Sequence, residues 1–345
     1  MRRRILAVVN PVSGTYRYDR TVRELNDAAA DFGIDLDVVL TRKDLDGAAA
    51  VRSKPGPYDC YLAVGGDGTV MEVATTAIED NVPLAILPRG TANATAWHFT
   101  LPIDAKQGLK VAARGDVLAI DVARTPHRDF LIMAGLGYDA HIIEGATREL
   151  KKRVGFLAYL YGALKGLTRR GHVFRVSVDD LPPERISGIA AAVFNTGTLA
   201  GNVRPLRDVS PRDGLLDVAI ISPENFGAFF RMLFLGMMGR LNDDPRVRVI
   251  RATRVRLEVR PAAPLEIDGD FMGQQRELLV EVLPRALNLT VMGEGMSWFP
   301  WLPDIATGGA GFPWGRGVEK ERRLRRSQSG DEPTVDPTVD PEEVR

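Results

Sequence analysis

The stretch "AVGGDGTVMEV", Ala63 to Val73, sets two glycines, an aspartate and a third glycine between an apolar run and a helical pattern. The run before it, "CYLAV" (Cys60 to Val64), reads as a buried strand, and "TVMEVATTAIED" after it reads as a helix. Glycines at such a joint accept positive φ and let the backbone come close to a ligand. The N–H groups of Gly65, Gly66 and Gly68 can therefore face phosphate oxygens at the positive end of the following helix. The spacing is neither G-x-G-x-x-G nor G-x-x-x-x-G-K-[ST], so the dinucleotide fingerprint and the P-loop are both absent here. A tight strand-to-helix turn asks for the same glycines. The surrounding chain has to decide between the two.

Working outward, short β-rich runs alternate with helical ones over the first 120 or so residues, which is the sequence form of a parallel α/β sheet. "ILAVVN" (Ile5 to Asn10), "DLDVVL" (Asp35 to Leu40) and "PLAIL" (Pro83 to Leu87) join "CYLAV" as strands. Between them "YDRTVRELNDAAADFG" reads as a helix with Val22, Leu25, Ala29 and Phe32 on one face, ended by Gly33; "DLDGAAAVRS" supplies another. The loops after the strands gather on one rim, where α/β proteins bind ligands. Two of those loops match the first in character: "NPVSG" (Asn10 to Gly14) and "LPRGTANATA" (Leu87 to Ala96) both pair glycine with Asn, Ser or Thr. Together these loops make a phosphate site far more specific than one glycine cluster.

Beyond about residue 122 the texture changes to short strands separated by Gly, Pro and Asp: "FRVSVDD", "GIAAAVFN", "LLDVAIIS", "RVRLEVRP", "LEIDGDF" and "ELLVEVLP". Strands this closely spaced predict an antiparallel sandwich or barrel, interrupted by helical material at about 144–168 and 226–241. From Trp298 on there is no periodicity, only a Gly-rich stretch, a mixed-charge run and the repeat "PTVDPTVD", a composition that predicts a disordered tail over 298–345.

Composition bounds the rest. A chain of 345 residues with 45% hydrophobic content supports two domains of ordinary size. Lysine plus arginine and aspartate plus glutamate number 45 each, so no global field draws the protein to nucleic acid. The lone cysteine, Cys60, sits in an apolar run and reads as a buried thiol in a reducing compartment. "MRRRILAVVNP" opens like a signal peptide, but its apolar stretch stops at Asn10-Pro11, too short for an h-region. The best candidate for a membrane span, Phe226 to Gly239, is short and contains Arg231.

N-P-x-S-G, G-G-D-G-T and L-P-x-G-T-x-N, in this order and near these spacings, resemble the diacylglycerol kinase catalytic-domain family, specifically the bacterial soluble lipid kinases, with sphingosine and ceramide kinases as relatives. Downstream, "FLIMAGLGYDAHI", "SPRDGLLDVAII" and "LEIDGDFMG" resemble that family's F-x-x-x-x-G-x-G-x-D-A, P-x-D-G-x-L-D-V and D-G-E segments, so the likeness covers about residues 5–292. The fold class it implies is α/β plus mainly β: an N-terminal parallel α/β nucleotide domain of NAD kinase and diacylglycerol kinase type over residues 1–122, and a C-terminal β-sandwich over 123–297 whose last strands return to the first domain. The resemblance implies a kinase using ATP and Mg²⁺, with the reaction in the cleft between domains. By similarity Asn10, Ser13, Gly14, Gly65, Gly66, Gly68, Thr69, Thr91 and Asn93 line the nucleotide site. Asp67 and Asp121 join the aspartate and water network holding the catalytic Mg²⁺, and Asp213 matches a position that helps hold a second, structural Mg²⁺. Asp268 is the implied base, with Asp270 beside it.

The chemistry asks for the same types. Phosphoryl transfer needs donors and a cation against the γ-phosphate, and a carboxylate to orient or deprotonate the attacking hydroxyl. Aspartates suit a hard cation better than His98, His127, His141 and His172, which show no paired spacing. Taken alone, "IDGD" is more often a hairpin turn, but in company with three phosphate loops it is read instead as carrying the catalytic carboxylate. Two positions depart from the family's pattern: Ala94 stands where many bacterial members carry an aspartate after G-T-x-N, and Asp270 replaces the glutamate of D-G-E. The acceptor expected is diacylglycerol or a similar lipid; a sphingoid or ceramide acceptor, and a nucleotide- or lipid-binding regulatory protein on a degenerate kinase scaffold, are the alternatives. The expected setting is cytoplasmic, peripheral to the inner face of the membrane, with a lipid and a second copy of the chain as partners. The basic-ended apolar helix expected over Arg148 to Arg170 is one candidate contact with the bilayer, and packing on the β domain is its other reading. The tail's Trp298, Phe299, Trp301, Phe312 and Trp314 offer a second contact, against a tail that folds back or stays disordered.

Overall fold

The computed structural model describes residues 2–14, 16–137 and 172–293. The helix expected over 144–168, the bilayer-facing stretch 148–170 and the tail 298–345 lie outside the described residues.

Four apolar runs pair side by side as a parallel sheet in the order β2 (Asp35–Leu40), β1 (Arg4–Val9), β3 (Cys60–Gly65), β4 (Leu84–Pro88). Ile5 lies opposite Cys60 and Tyr61 opposite Leu84, so the strands stay in step and their C-terminal loops share one rim. The side chains of β1, β3 and β4 are buried on both faces, as a parallel sheet between helical layers requires, while the edge strand β2 buries only Val39 fully. One layer is α1 (Tyr18–Phe32) with α5 (Ala105–Arg114); the other is α2 (Gly47–Arg52) with α3 (Asp67–Asp80). Between β4 and α5 lies the short α4 (Ala94–His98).

α1 follows its periodicity: Leu25 and Ala29 are buried, Val22 and Phe32 pack at the edge of the same cluster, and Gly33 closes the helix with φ 66°. α5 has no counterpart among the sequence expectations. Its start signal is present, since the Asp104 carboxylate accepts from the Gln107 N–H, but Pro102 and Gly108 disguise the pattern.

The second half is antiparallel. β10 (Ala190–Phe194) lies between β7 (Met133–Gly137) and β11 (Leu216–Ile221), and β12 (Val247–Ala252) borders β11. β8 (His172–Val178) pairs with β9 (Glu184–Gly188) and with β13 (Arg254–Ile267). The helix expected at 226–241 is α6 (Phe226–Met237), followed by a 3-10 turn at Leu241–Asp243.

Two strand expectations need correction. "RVRLEVRP" and the start of "LEIDGDF" are one strand, β13, which passes Pro261 through a register shift between Glu258 and Ala263. The remainder joins "ELLVEVLP" in β14 (Asp270–Val291), a strand of 22 residues. Proline and Asp-Gly read as strand ends from sequence; an irregular ladder accommodates the first and a two-residue hairpin the second. β14 leaves the sandwich, shifts register between Leu283 and Leu287, and ends against β4 in the α/β half, with β5 (Asp116–Arg124) on its other side. β5 also pairs with the short β6 (Asp129–Phe130). No helix among the described residues is long and apolar enough to cross a membrane.

Candidate active site

The three glycine loops touch. A Cβ on Gly90 would lie 2.4 Å from Gly66 Cα, and one on Gly14, whose φ is +61°, would lie 2.1 Å from the Arg89 carbonyl oxygen. Only hydrogen at these positions lets the loops after β1, β3 and β4 close on one another. Gly65 is needed for another reason: Thr69, on the first turn of α3, stands 2.6 Å from where its Cβ would be. Thr69 Oγ1 in turn accepts from Asn10 Nδ2 at 2.9 Å, while Asn10 Oδ1 accepts from the Val12 N–H. Ser13 faces Gly66, and Gly68 is exposed with nothing within 4 Å of its added Cβ. The first turn of α3, whose N–H groups lack carbonyl partners within the helix, therefore opens beside an unobstructed glycine, which is the geometry an anion needs.

Thr91 is exposed on the loop after β4. Asn93, left-handed at φ 48°, spends its amide on its own loop, accepting from the Gly90 N–H at 2.8 Å and donating to the Gly90 carbonyl at 2.9 Å. Gly90 is thus the hub of the contact, though it was not among the expected site residues; its presence in "LPRGTANATA" was the only signal. Beside it Arg89 is 5% exposed, lies over the Tyr16 ring and donates to the carbonyls of Pro88 and Ile103.

Asp67 opens α3 and turns toward α4. Its carboxylate accepts from the Ala94 and Thr95 N–H groups at 3.1 and 3.2 Å, capping a helix to whose N–H groups the N-cap residue Asn93 makes no side-chain bond. The carboxyl end is enclosed although the residue keeps some exposure. Burial raises its pKa, against the pull of the two N–H donors. Ala94, where many family members carry a carboxylate, is 3% exposed and packs with Ile132 and Met133.

Across that cluster stands Asp268. It occupies the two-residue turn of the β13–β14 hairpin, with φ 48° at Asp268 and 86° at Gly269, so the hairpin reading of "IDGD" holds in full. The turn also aims the carboxylate inward: Oδ1 accepts from the N–H groups of Ile132 and Met133 at 3.0 Å each, and Oδ2 from Leu131 at 3.1 Å. Burial pushes the carboxyl up to about 6 despite these donors and the nearby Arg128. Asp270 is more open and pairs with Arg128 Nη1 at 2.8 Å, and Arg128 Nη2 donates to the Ile267 carbonyl. Arg128 had no recognisable signal in sequence. Glu72, five residues along α3 from Asp67, feels both Arg128 and Asp270; burial raises its pKa, and it accepts from the Gly47 N–H.

Asp121 lies on β5 and is fully buried. Oδ1 accepts from the Arg285 N–H at the β14 register shift and Oδ2 from the Gly214 N–H, both at 2.8 Å. Asn195 donates to the Asp121 and Leu131 carbonyls, a second bracket the sequence did not reveal. Asp213 is adjacent to Gly214, and burial raises its pKa. The positive charge there is Arg251, whose Nη1 lies 3.9 Å from Asp213 and whose Nε donates to Asp217 at 2.9 Å. Among the described residues no three His, Cys, Asp or Glu side chains converge on a metal position. Asp121 and Asp213 are close enough to feel each other's charge, while the Asp67 carboxylate is engaged elsewhere, by the Ala94 and Thr95 N–H groups.

Comparison with known proteins agrees with this architecture. Residues 4–125 match the diacylglycerol kinase catalytic domain, and residues 133–291 match the YegS C-terminal NAD kinase beta sandwich-like domain. A Synechocystis sp. protein of uncharacterised function is 28% identical over 252 residues, 70% of this chain and 57% of its own length. The chain thus spans little more than half of that relative. A diacylglycerol kinase of Staphylococcus saprophyticus is 27% identical over 280 residues, 79% of this chain and 91% of that protein. The crystal structure of a diacylglycerol kinase from Bacillus anthracis has the same fold, with a TM-score of 0.69 at 21% identity over 84% of this chain and 96% of that one. With the glycine loops in its first half and the sandwich in its second, the chain joins a diacylglycerol kinase catalytic domain to a YegS-type C-terminal domain.

Proposed function

We propose that this protein is an ATP-dependent lipid kinase that transfers the γ-phosphoryl group to the hydroxyl of diacylglycerol or a similar amphiphile, giving a phospholipid such as phosphatidic acid. One observation carries the reading: the phosphate loops and the Asp268 turn are joined through a single apolar cluster. Asp67 holds the Ala94 N–H, Ala94 shares a buried cluster with Ile132 and Met133, and the N–H groups of those two hold Asp268. A nucleotide on the glycine rim and a hydroxyl beside Asp268 would meet at that seam.

In this reading Gly66, Gly68 and the first turn of α3 receive the phosphates, with Asn10, Ser13 and Thr69 fixing the loops around them. Asp268 takes the acceptor hydroxyl's proton. Its backbone donors orient the carboxylate, and its burial keeps it basic enough to act near neutral pH. Arg128 holds the turn through Ile267 and Asp270. Asp67 and the phosphates are a donor set of hard oxygens that fits Mg²⁺ better as an ion carried in with ATP than as one caged by protein. When bound, Mg²⁺ supplies neutralisation of charge on the transferring phosphoryl group. Asp121 keeps β5, β14 and the 211–214 turn in register behind the site.

The test is transfer from labelled ATP to dispersed diacylglycerol, ceramide, sphingosine and NAD by wild type and Asp268→Asn, with and without Mg²⁺. The expected result is Mg²⁺-dependent labelling of diacylglycerol, lost in the variant while ATP still binds. Labelling of ceramide or sphingosine alone would move the acceptor class, labelling of NAD alone would end the lipid reading, and nucleotide binding without transfer to any acceptor would favour a regulatory protein on a kinase scaffold.

A further inference from the structure

Helix α6 carries an apolar stripe that the protein leaves uncovered. It turns Ala228 and Met232 inward, 6% and 3% exposed, while Phe230, Phe234, Met237 and the adjoining Met238 are 46%, 62%, 51% and 55% exposed. Spacings of four, seven and eight residues put these side chains on one face. Scattered exposed apolar residues are ordinary, but a run of large ones along two turns marks a surface that meets something.

The charges beside the stripe say what. Arg231, on the exposed side of the helix, pairs with the buried Asp244 at 3.3 Å, which it shares with Arg246 at 3.5 Å. At the helix's C-terminal end Arg240 and Arg207 share one carboxylate, Asp243, at 2.7 and 2.5 Å, and Arg204 turns to the His98 carbonyl. Glu224 at the other end is matched by Arg246 at 3.1 Å. Cations therefore outnumber anions around an aromatic and methionine face. This is the pattern of a helix lying in the plane of a bilayer interface, apolar side chains down and arginines at the headgroups.

Position supports the same occupant. Met232 on the inner side of α6 belongs to the cluster of Ala94, Ile132 and Met133 that joins Asp67 to Asp268. The geometry points to the outer face of α6 as the surface that docks on an anionic bilayer, on a helix whose inner face shares the cluster at the seam where an acceptor lipid would be phosphorylated. Its bearing on catalysis rests on the lipid kinase reading; the docking itself does not.

The experiment compares wild type with the Phe234→Gln, Met237→Gln double variant. Both are sedimented with vesicles of equal parts phosphatidylcholine and phosphatidylglycerol, and assayed on diacylglycerol in those vesicles and on short-chain diacylglycerol dissolved without vesicles. The variant should keep its thermal midpoint and its rate on the dissolved substrate, and lose about tenfold or more in vesicle binding and in rate on vesicles. Equal vesicle binding by the two proteins would overturn the proposal. So would a vesicle-free dimer that the substitutions split, because the stripe would then belong to a second copy. If no lipid is phosphorylated in either format, the kinase reading falls while the sedimentation result still decides the docking surface.

Discussion

Asp268 couples proton affinity to both rate and stability, with opposite senses. As a base it acts only when ionised, so with its carboxyl raised to about 6, kcat/KM should climb about tenfold per pH unit up to that value and level off above it. A profile that stays flat down to about pH 5 would remove Asp268 from proton transfer. For stability the folded group keeps its proton at pH values where the unfolded chain, at about 3.9, has released it. Its contribution is therefore fully present below about pH 4 and is lost as pH rises through about 6. The glycines divide in the same spirit. Gly90→Ala drives a Cβ into the Gly66 backbone, 2.4 Å away, and should cost about 2 kcal/mol or more in urea unfolding. Gly68→Ala meets nothing and should hold or raise stability by up to about 1 kcal/mol, while weakening ATP binding if phosphate lies against that turn. From sequence these glycines looked alike. Composition and spacing showed that the loops bend, but which glycine faces a neighbour and which faces open space depends on three chain segments meeting.

Capping between elements is what unites the nucleotide half. α4 is too short to stand alone, and its N–H groups are held by Asp67 from the start of another helix. Asp67→Ala should cost about 1–2 kcal/mol of stability besides any loss in nucleotide use; a rate defect with unchanged unfolding would make the capping energetically idle. Asp121 acts similarly between strands. Asp121→Ala takes the acceptor from the part-buried Arg285 and Gly214 N–H groups, at about 1 kcal/mol each, and urea unfolding should show it. The strands of the first half and most helices were legible because their periodicity is local. The long β13 and β14 were not, since Pro261 and the Asp268-Gly269 pair carry the local marks of strand ends, and only pairing with partners far along the chain overrides them. The same holds for Asp121: "LAIDVAR" exposes an aspartate to the reader but not the two backbone groups, 164 and 93 residues away, that claim it.

Across the molecule, the charge at the Asp213 turn is met from within by Arg251, so the nucleotide-free protein should not lean on a bound cation. Chelating divalent ions should leave its thermal midpoint within about 1 °C. A fall of several degrees would place a structural metal there after all. The largest feature invisible to local reading is the course of β14, which begins at the Asp268 hairpin and finishes beside β4. Because of it the diacylglycerol kinase domain at 4–125 is not a transferable cassette. A fragment cut after β5 would bare the flank of β4 and the inner edge of β5, leaving two sticky borders where the parent has a shared rib. Any fusion, domain swap or circular permutation that hopes to carry the nucleotide half elsewhere must take the end of β14 with it.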